Sequence, residues 1–144
     1  MKPWMYLVLL AITTQANAAC FDEAAKRYRV PVELLKAIST VESNGNPNAI
    51  NHNKGGSVDL GHMQVNDWWL PKLATYGISK DHLMDPCINT NVGAWILAQS
   101  ISQHGFTWKA IGAYNASTNY KRLVYARKVE RILAKHASVQ VASK

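Results

Sequence analysis

Two acidic side chains hold the chemistry that this sequence can do. Glu42 closes an apolar stretch in Ser39-Thr-Val-Glu-Ser43. Asp59 stands 17 positions later, in Ser57-Val-Asp-Leu60, just ahead of Gly61-His-Met-Gln64 and the pair Trp68-Trp69. A glutamate at the carbonyl end of a helix meets a negative dipole, and apolar neighbours disfavour its ionised form. Both effects raise its pKa, and a carboxyl with a raised pKa can donate a proton near neutral pH. Asp59 lies beyond a turn-rich tract, so a helix carboxyl and a hairpin carboxyl can face each other across one cleft. Such a pair suits glycosidic cleavage, with a proton for the leaving oxygen and a negative charge for the positive anomeric centre. A tryptophan pair such as Trp68-Trp69 serves more often as core than as a platform for sugar faces.

The elements that must position these residues read mainly as helix. Phe21, Ala24, Ala25 and Tyr28 share one face of a short amphipathic helix from Phe21 to Arg29. Pro31 opens a second, with Leu34, Leu35, Ile38 and Val41 at helical spacing, and Asn44-Gly-Asn-Pro47 stops it. Asn48–Asn51 and Ser57–Leu60 flank His-Asn-Lys-Gly-Gly and form one small irregular hairpin. Gly61–Trp69 is expected to begin another helix. Asp85-Pro-Cys87 introduces a long helix that Gly105 ends, and Thr107 caps a short one at Trp108–Tyr114. The last helix is expected over Tyr120–His136, with Leu123, Ala126, Val129 and Leu133 inward. Residues 137–144 are left as a loose tail.

The 144 residues suffice for one domain with a real core. Lys2, the uncharged run Trp4–Ile12 and Ala16-Asn-Ala18 have the form of a secretory signal, cleaved after Ala18 or Ala19. An uncleaved anchor is the alternative, although the run is short for a membrane span. The domain proper is then 19–136. Export gives meaning to the two cysteines, Cys20 and Cys87, which suit one disulfide in an oxidising compartment. They form no metal-ligand pair. The formal charge of +7 favours an anionic partner such as a cell-wall polymer or lipid headgroups. The late basic residues, Lys121-Arg122 and Arg127-Lys128 through Lys135, fall on a helical pattern. They read as a solvated helix face, and no nucleic-acid-binding motif accompanies them.

Glu42-Ser43, Gly61-His-Met-Gln64 and Ala113-Tyr-Asn115 match, in order, the three motifs of the soluble lytic transglycosylases. The match covers most of the chain after the signal. It resembles most the small exported enzymes that accompany type III secretion, conjugation and type IV pilus systems. The segment from Asp59 to Trp69 also resembles the hairpin and cleft of c-type lysozymes.

This resemblance implies a mainly α, lysozyme-like α+β domain in the periplasm that acts as a monomer on peptidoglycan strands, without cofactor, metal or nucleic acid. It implies cleavage of the β-1,4 bond between N-acetylmuramic acid and N-acetylglucosamine, leaving a 1,6-anhydro end. Glu42 would be the general acid and then the base, and Asp59 would stabilise the positive centre. Ser43, Met63, Gln64, Tyr114 and Asn115 would hold the substrate. Cys20 and Cys87 match the disulfide of the small secretion-associated members. His62 departs from the apolar residue usual at its position, and Ala116-Ser-Thr118 replaces a common glycine. Two other readings stand beside this one. They are a lysozyme-type hydrolase using Glu42 and Asp59 with water, and a non-catalytic wall-binding assembly protein.

Overall fold

The computed structural model describes residues 19–143. The expected signal, 1–18, lies outside the described residues. Among the described residues, six helices and a small sheet surround one core. The helices are α1 (Phe21–Tyr28), α2 (Val32–Ser43), α3 (Leu70–Ala74), α4 (Pro86–His104), α5 (Trp108–Ala113) and α6 (Asn119–Ala142). The strands are β1 (Ile50–His52), β2 (Val58–Leu60) and β3 (Val65–Asn66). The mainly helical class expected from the sequence is the class observed.

The long α4 runs through the middle. Asp85 caps it by accepting from the Ile88 N–H at 2.8 Å, Pro86 occupies its first turn, and Gly105 ends it. Its buried residues include Asn89, Val92, Ala94, Ile96 and Leu97, so little of it is a solvent face. α1 carries Asp22 and Glu23 in its first turn and Lys26 and Arg27 in its last, matching the helix dipole. A Cys20–Cys87 disulfide ties the entry of α1 to the first turn of α4. Closing a loop of 67 residues stabilises by about 4 kcal/mol in the chain-entropy model. Leu35 and Ile38 of α2, Leu97 of α4 and Val129 of α6 meet Leu60 and Met63 in the core, all fully buried. Gly112 lets α5 and α6 approach closely, because a Cβ there would lie 2.3 Å from the backbone oxygen of Arg122.

The expected hairpin is present as β1 and β2, and β3 extends it to a three-stranded antiparallel sheet in the order β1-β2-β3, because the chain after Leu60 turns back and pairs Val65 with Leu60. Three expectations are corrected. The helix expected from Gly61 to Trp69 is a turn, a strand and one 3₁₀ turn at Asp67–Trp69. Gly61 and Gln64 take positive φ values, +72° and +50°, which no right-handed helix accepts. The expected loose tail is helical as far as Ala142. No glycine or proline interrupts Ala134–Ala142, and alanine, lysine and glutamine favour helix even at an exposed end. Leu123, expected inward, is 49% exposed, and Tyr125 points in instead.

Candidate active site

Glu42 and Asp59 line one cleft of about 330 Å³, together with Asn53, Gln64, Asn66, Trp69, Tyr114 and Asn115. Each acid is delivered by local structure. Glu42 sits on the last turn of α2, whose cap, Asn44, takes the left-handed conformation (φ +55°). Asp59 is the middle residue of β2. Val58 and Leu60 point into the core, so strand alternation turns Asp59 to the other face. There it lies opposite Asn51 on β1 and Asn66 on β3.

The two carboxyls are held differently. Asp59 accepts one amide on each oxygen, from Asn66 at 2.7 Å and from Asn53 at 3.0 Å. Glu42 is desolvated by its surroundings, and this is the main reason its pKa rises to about 7. The Tyr125 hydroxyl donates to its Oε1 at 2.6 Å and the Asn115 amide at 3.4 Å; both favour the charged form and oppose the rise. Asp59 adds to the rise by like charge, and Lys128 works against it. The result is a carboxyl that titrates near neutral pH, well above the ordinary carboxylate range. Burial first, and then the charge of Glu42, holds the pKa values of Tyr114 and Tyr125 well above the usual phenol value, so both hydroxyls stay protonated as donors.

The expected substrate residues divide into two sets. Gln64 and Asn115 line the cleft. Gln64 donates to the Gly61 carbonyl at 2.8 Å, which orders the turn before β3, and accepts from Asn51. Tyr114 lines the cleft too, and its hydroxyl donates to the Met63 carbonyl at 2.8 Å. The other two do not reach it. Met63 is fully buried, so its side chain is core. Ser43 donates to the His62 carbonyl at 2.8 Å and so ties α2 to the loop ahead of β3. Trp69 lines the cleft and packs edge-on against Trp95, while Trp68 is 72% exposed.

His62 belongs to the interior and does not line the cleft. It is buried, and its Nδ1 lies 2.7 Å from the Ser39 hydroxyl. Its Nε2 lies 2.9 Å from the Thr90 hydroxyl and 3.1 Å from the Pro86 carbonyl. Burial lowers its pKa. Asn89 works beside it. Its amide donates to the carbonyls of Leu60 and Leu83, both at 2.9 Å, and its oxygen accepts from the Met63 N–H at 2.8 Å. Gly61 must be glycine here, since a Cβ would lie 2.4 Å from the Asn89 amide nitrogen. The loop after Asn115 is ordered without its usual glycine, because the Arg122 guanidinium donates to the Ala116 carbonyl at 2.9 Å.

Sequence reasoning missed Tyr125, Asn53 and Asn66. Tyr125 had a signal, since it shares with Val129 and Ile132 the spacing of an inward stripe. The two asparagines had none, because their role follows from strand register. A roomier groove, about 580 Å³, is lined by Tyr28, Leu73, Tyr76, Ile78 and Trp95. Its one acid, Glu23, is paired with Arg27 at 2.8 Å. The smaller cleft, where two carboxyls meet, is therefore the candidate site.

A family model described as the transglycosylase SLT domain matches residues 19–132. The chain belongs to this family. It is a lytic transglycosylase. It is 48% identical over 115 residues to the invasion protein IagB of Salmonella typhi, covering 79% of this chain and 71% of that protein. It is 38% identical to protein IpgF of Shigella flexneri, over 91% of this chain and 90% of that one. It is 41% identical to an X polypeptide of Escherichia coli, over 92% and 83%. Among the described residues, no helix of this transglycosylase is long and apolar enough to cross a membrane.

Proposed function

We propose that this lytic transglycosylase cleaves the β-1,4 bond between N-acetylmuramic acid and N-acetylglucosamine and leaves a 1,6-anhydro-muramyl end. Glu42 protonates the leaving oxygen. Asp59, fixed by two asparagine amides, stabilises the positive centre. Glu42, now ionised, takes the proton from the muramyl 6-hydroxyl as that oxygen closes on the anomeric carbon. No water is consumed, and the carboxyl is reset. The observation that carries this reading is a carboxyl with a pKa of about 7 facing a second acid across one cleft. Such a group can serve as acid and base within one turnover. Gln64, Tyr114 and Asn115 are the substrate-facing side chains.

The setting belongs to the same proposal. The signal at 1–18 and a disulfide, which persists in oxidising compartments, support a periplasmic location. The motif resemblance supports local opening of the wall for a secretion, conjugation or pilus apparatus. The presence of Asp59 in the cleft favours a second reading, hydrolysis of the same bond as in lysozymes. Mass spectrometry of peptidoglycan digests separates the two. Fragments one water lighter than hydrolysed muropeptides, absent with Glu42→Gln, are the expected result. Reducing-end fragments would replace the transglycosylase step with hydrolysis.

A further inference from the structure

The charge of this chain is unevenly placed. Residues 105–144 hold eight lysines and arginines against one glutamate, whereas 19–104 hold seven against eight acids. Exposed apolar surface gathers in the same region. Of ten large apolar side chains exposed among the described residues, seven lie beyond residue 105. Phe106 is 63% exposed, Trp108 46%, Tyr120 77% and Leu123 49%. Trp108 stands between two shallow grooves of about 270 and 310 Å³, one shared with Leu123 and Lys109, the other with Phe106 and Leu133. The one acid of these grooves, Glu33, is paired with Lys36 at 3.1 Å. Along α6, Leu123 is followed at four-residue steps by Arg127, Arg131 and Lys135, all exposed. Such spacing makes a ridge on a helix about 36 Å long.

We propose that the α5–α6 face docks this enzyme on an anionic phospholipid surface. Trp108, Phe106 and Tyr120 would enter the headgroup region, and the α6 ridge would lie over the lipid phosphates. Aromatic side chains favour that depth, and each lysine or arginine near an anionic surface adds about 1 kcal/mol. Charge complementarity selects an anionic partner. Aliphatic side chains exposed beside the aromatics, Leu123 among them, favour a bilayer over a wall polymer, because they have no planar face to stack on a sugar. The cleft acids belong to α2 and β2, so docking through α5 and α6 does not use the catalytic side chains Glu42 and Asp59.

Co-sedimentation with lipid vesicles tests this, using the purified protein as processed after export. Vesicles of phosphatidylethanolamine with phosphatidylglycerol should bind it at least about tenfold better than neutral phosphatidylcholine vesicles at low salt. Phe106→Ser with Trp108→Ser should remove that binding, and so should Arg127→Gln with Arg131→Gln. Cleavage of soluble glycan fragments should be unchanged in both. The charge pair is exposed, so it keeps the test open if the aromatic pair melts early. Equal binding to both vesicle types overturns the proposal. Anionic binding that survives the aromatic variant in folded form overturns it too. So does loss of binding to isolated sacculi in these variants without any vesicle binding, which would make the face a polymer-binding one.

Discussion

Two polar clusters involve the loop between β2 and β3, and they are built for opposite purposes. In the knot around His62 and Asn89, side chains on α2, on α4 and in the loop satisfy one another. Both ring nitrogens of His62 and both polar atoms of Asn89 have partners. In the cleft, a carboxyl is withdrawn from water and only partly compensated by Tyr125 and Asn115. The difference teaches what separates structure from chemistry at a buried polar site. Full satisfaction fixes a backbone, while partial satisfaction leaves a proton free to move. The knot also serves the cleft, because it pins the turn that carries Gln64 and the strand that carries Asp59.

The comparison breaks most sharply at Glu42. Glu42→Gln should lower turnover on the order of 10³-fold. It should also make the fold more stable at high pH. The native pKa of about 7 lies above the unfolded 4.5, so the native state binds more protons between them. The stability this group contributes is fully present below pH 4.5 and lost as pH rises through 7. Thermal melts should therefore show the variant gaining on the parent from pH 5 to pH 8, by up to roughly 3 kcal/mol. A variant that gained nothing would mean that the acid is not strained by burial.

Asn89→Ala attacks the knot instead. It orphans the carbonyls of Leu60 and Leu83 and the N–H of Met63, and urea melts should show a loss of about 3 kcal/mol. A loss near zero would mean that the loop is held by other contacts. Tyr125→Phe sharpens the cleft side. It removes a bond to the charged form, so the pKa of Glu42 should rise further. The alkaline fall of kcat should then move above its parental midpoint near 7, while turnover at pH 6 changes less than about tenfold. An unmoved limb would assign that limb to another group.

The smallest effect belongs to His62. Its native pKa lies below the unfolded 6.5, so its contribution to stability is present above pH 6.5 and lost as pH falls below it. His62→Gln should flatten the acid decline of the melting temperature. An unchanged slope would place the acid sensitivity elsewhere.

Much of this was legible in the sequence. Helix starts at Pro31 and Asp85 were visible because proline and a capping carboxylate act locally, and Glu42 was visible because it ends an apolar helix. What escaped depends on contacts distant in sequence. Tyr125 reaches Glu42 across 83 positions, and Asn53 and Asn66 reach Asp59 only through sheet register. The short strand at Val65 was lost because two residues show no alternation, and Met63 looked like a cleft residue until packing placed it in the core.

The central claim is that burial keeps Glu42 protonated enough to act as an acid, and a direct titration tests it. The chain has four glutamates, so carbon-13 labelling of their side-chain carboxyls gives few signals, and Glu42→Gln identifies the one that matters. A midpoint near 7 for Glu42 is the predicted result. A midpoint near 4.5, the ordinary value for a solvated glutamate, would contradict it.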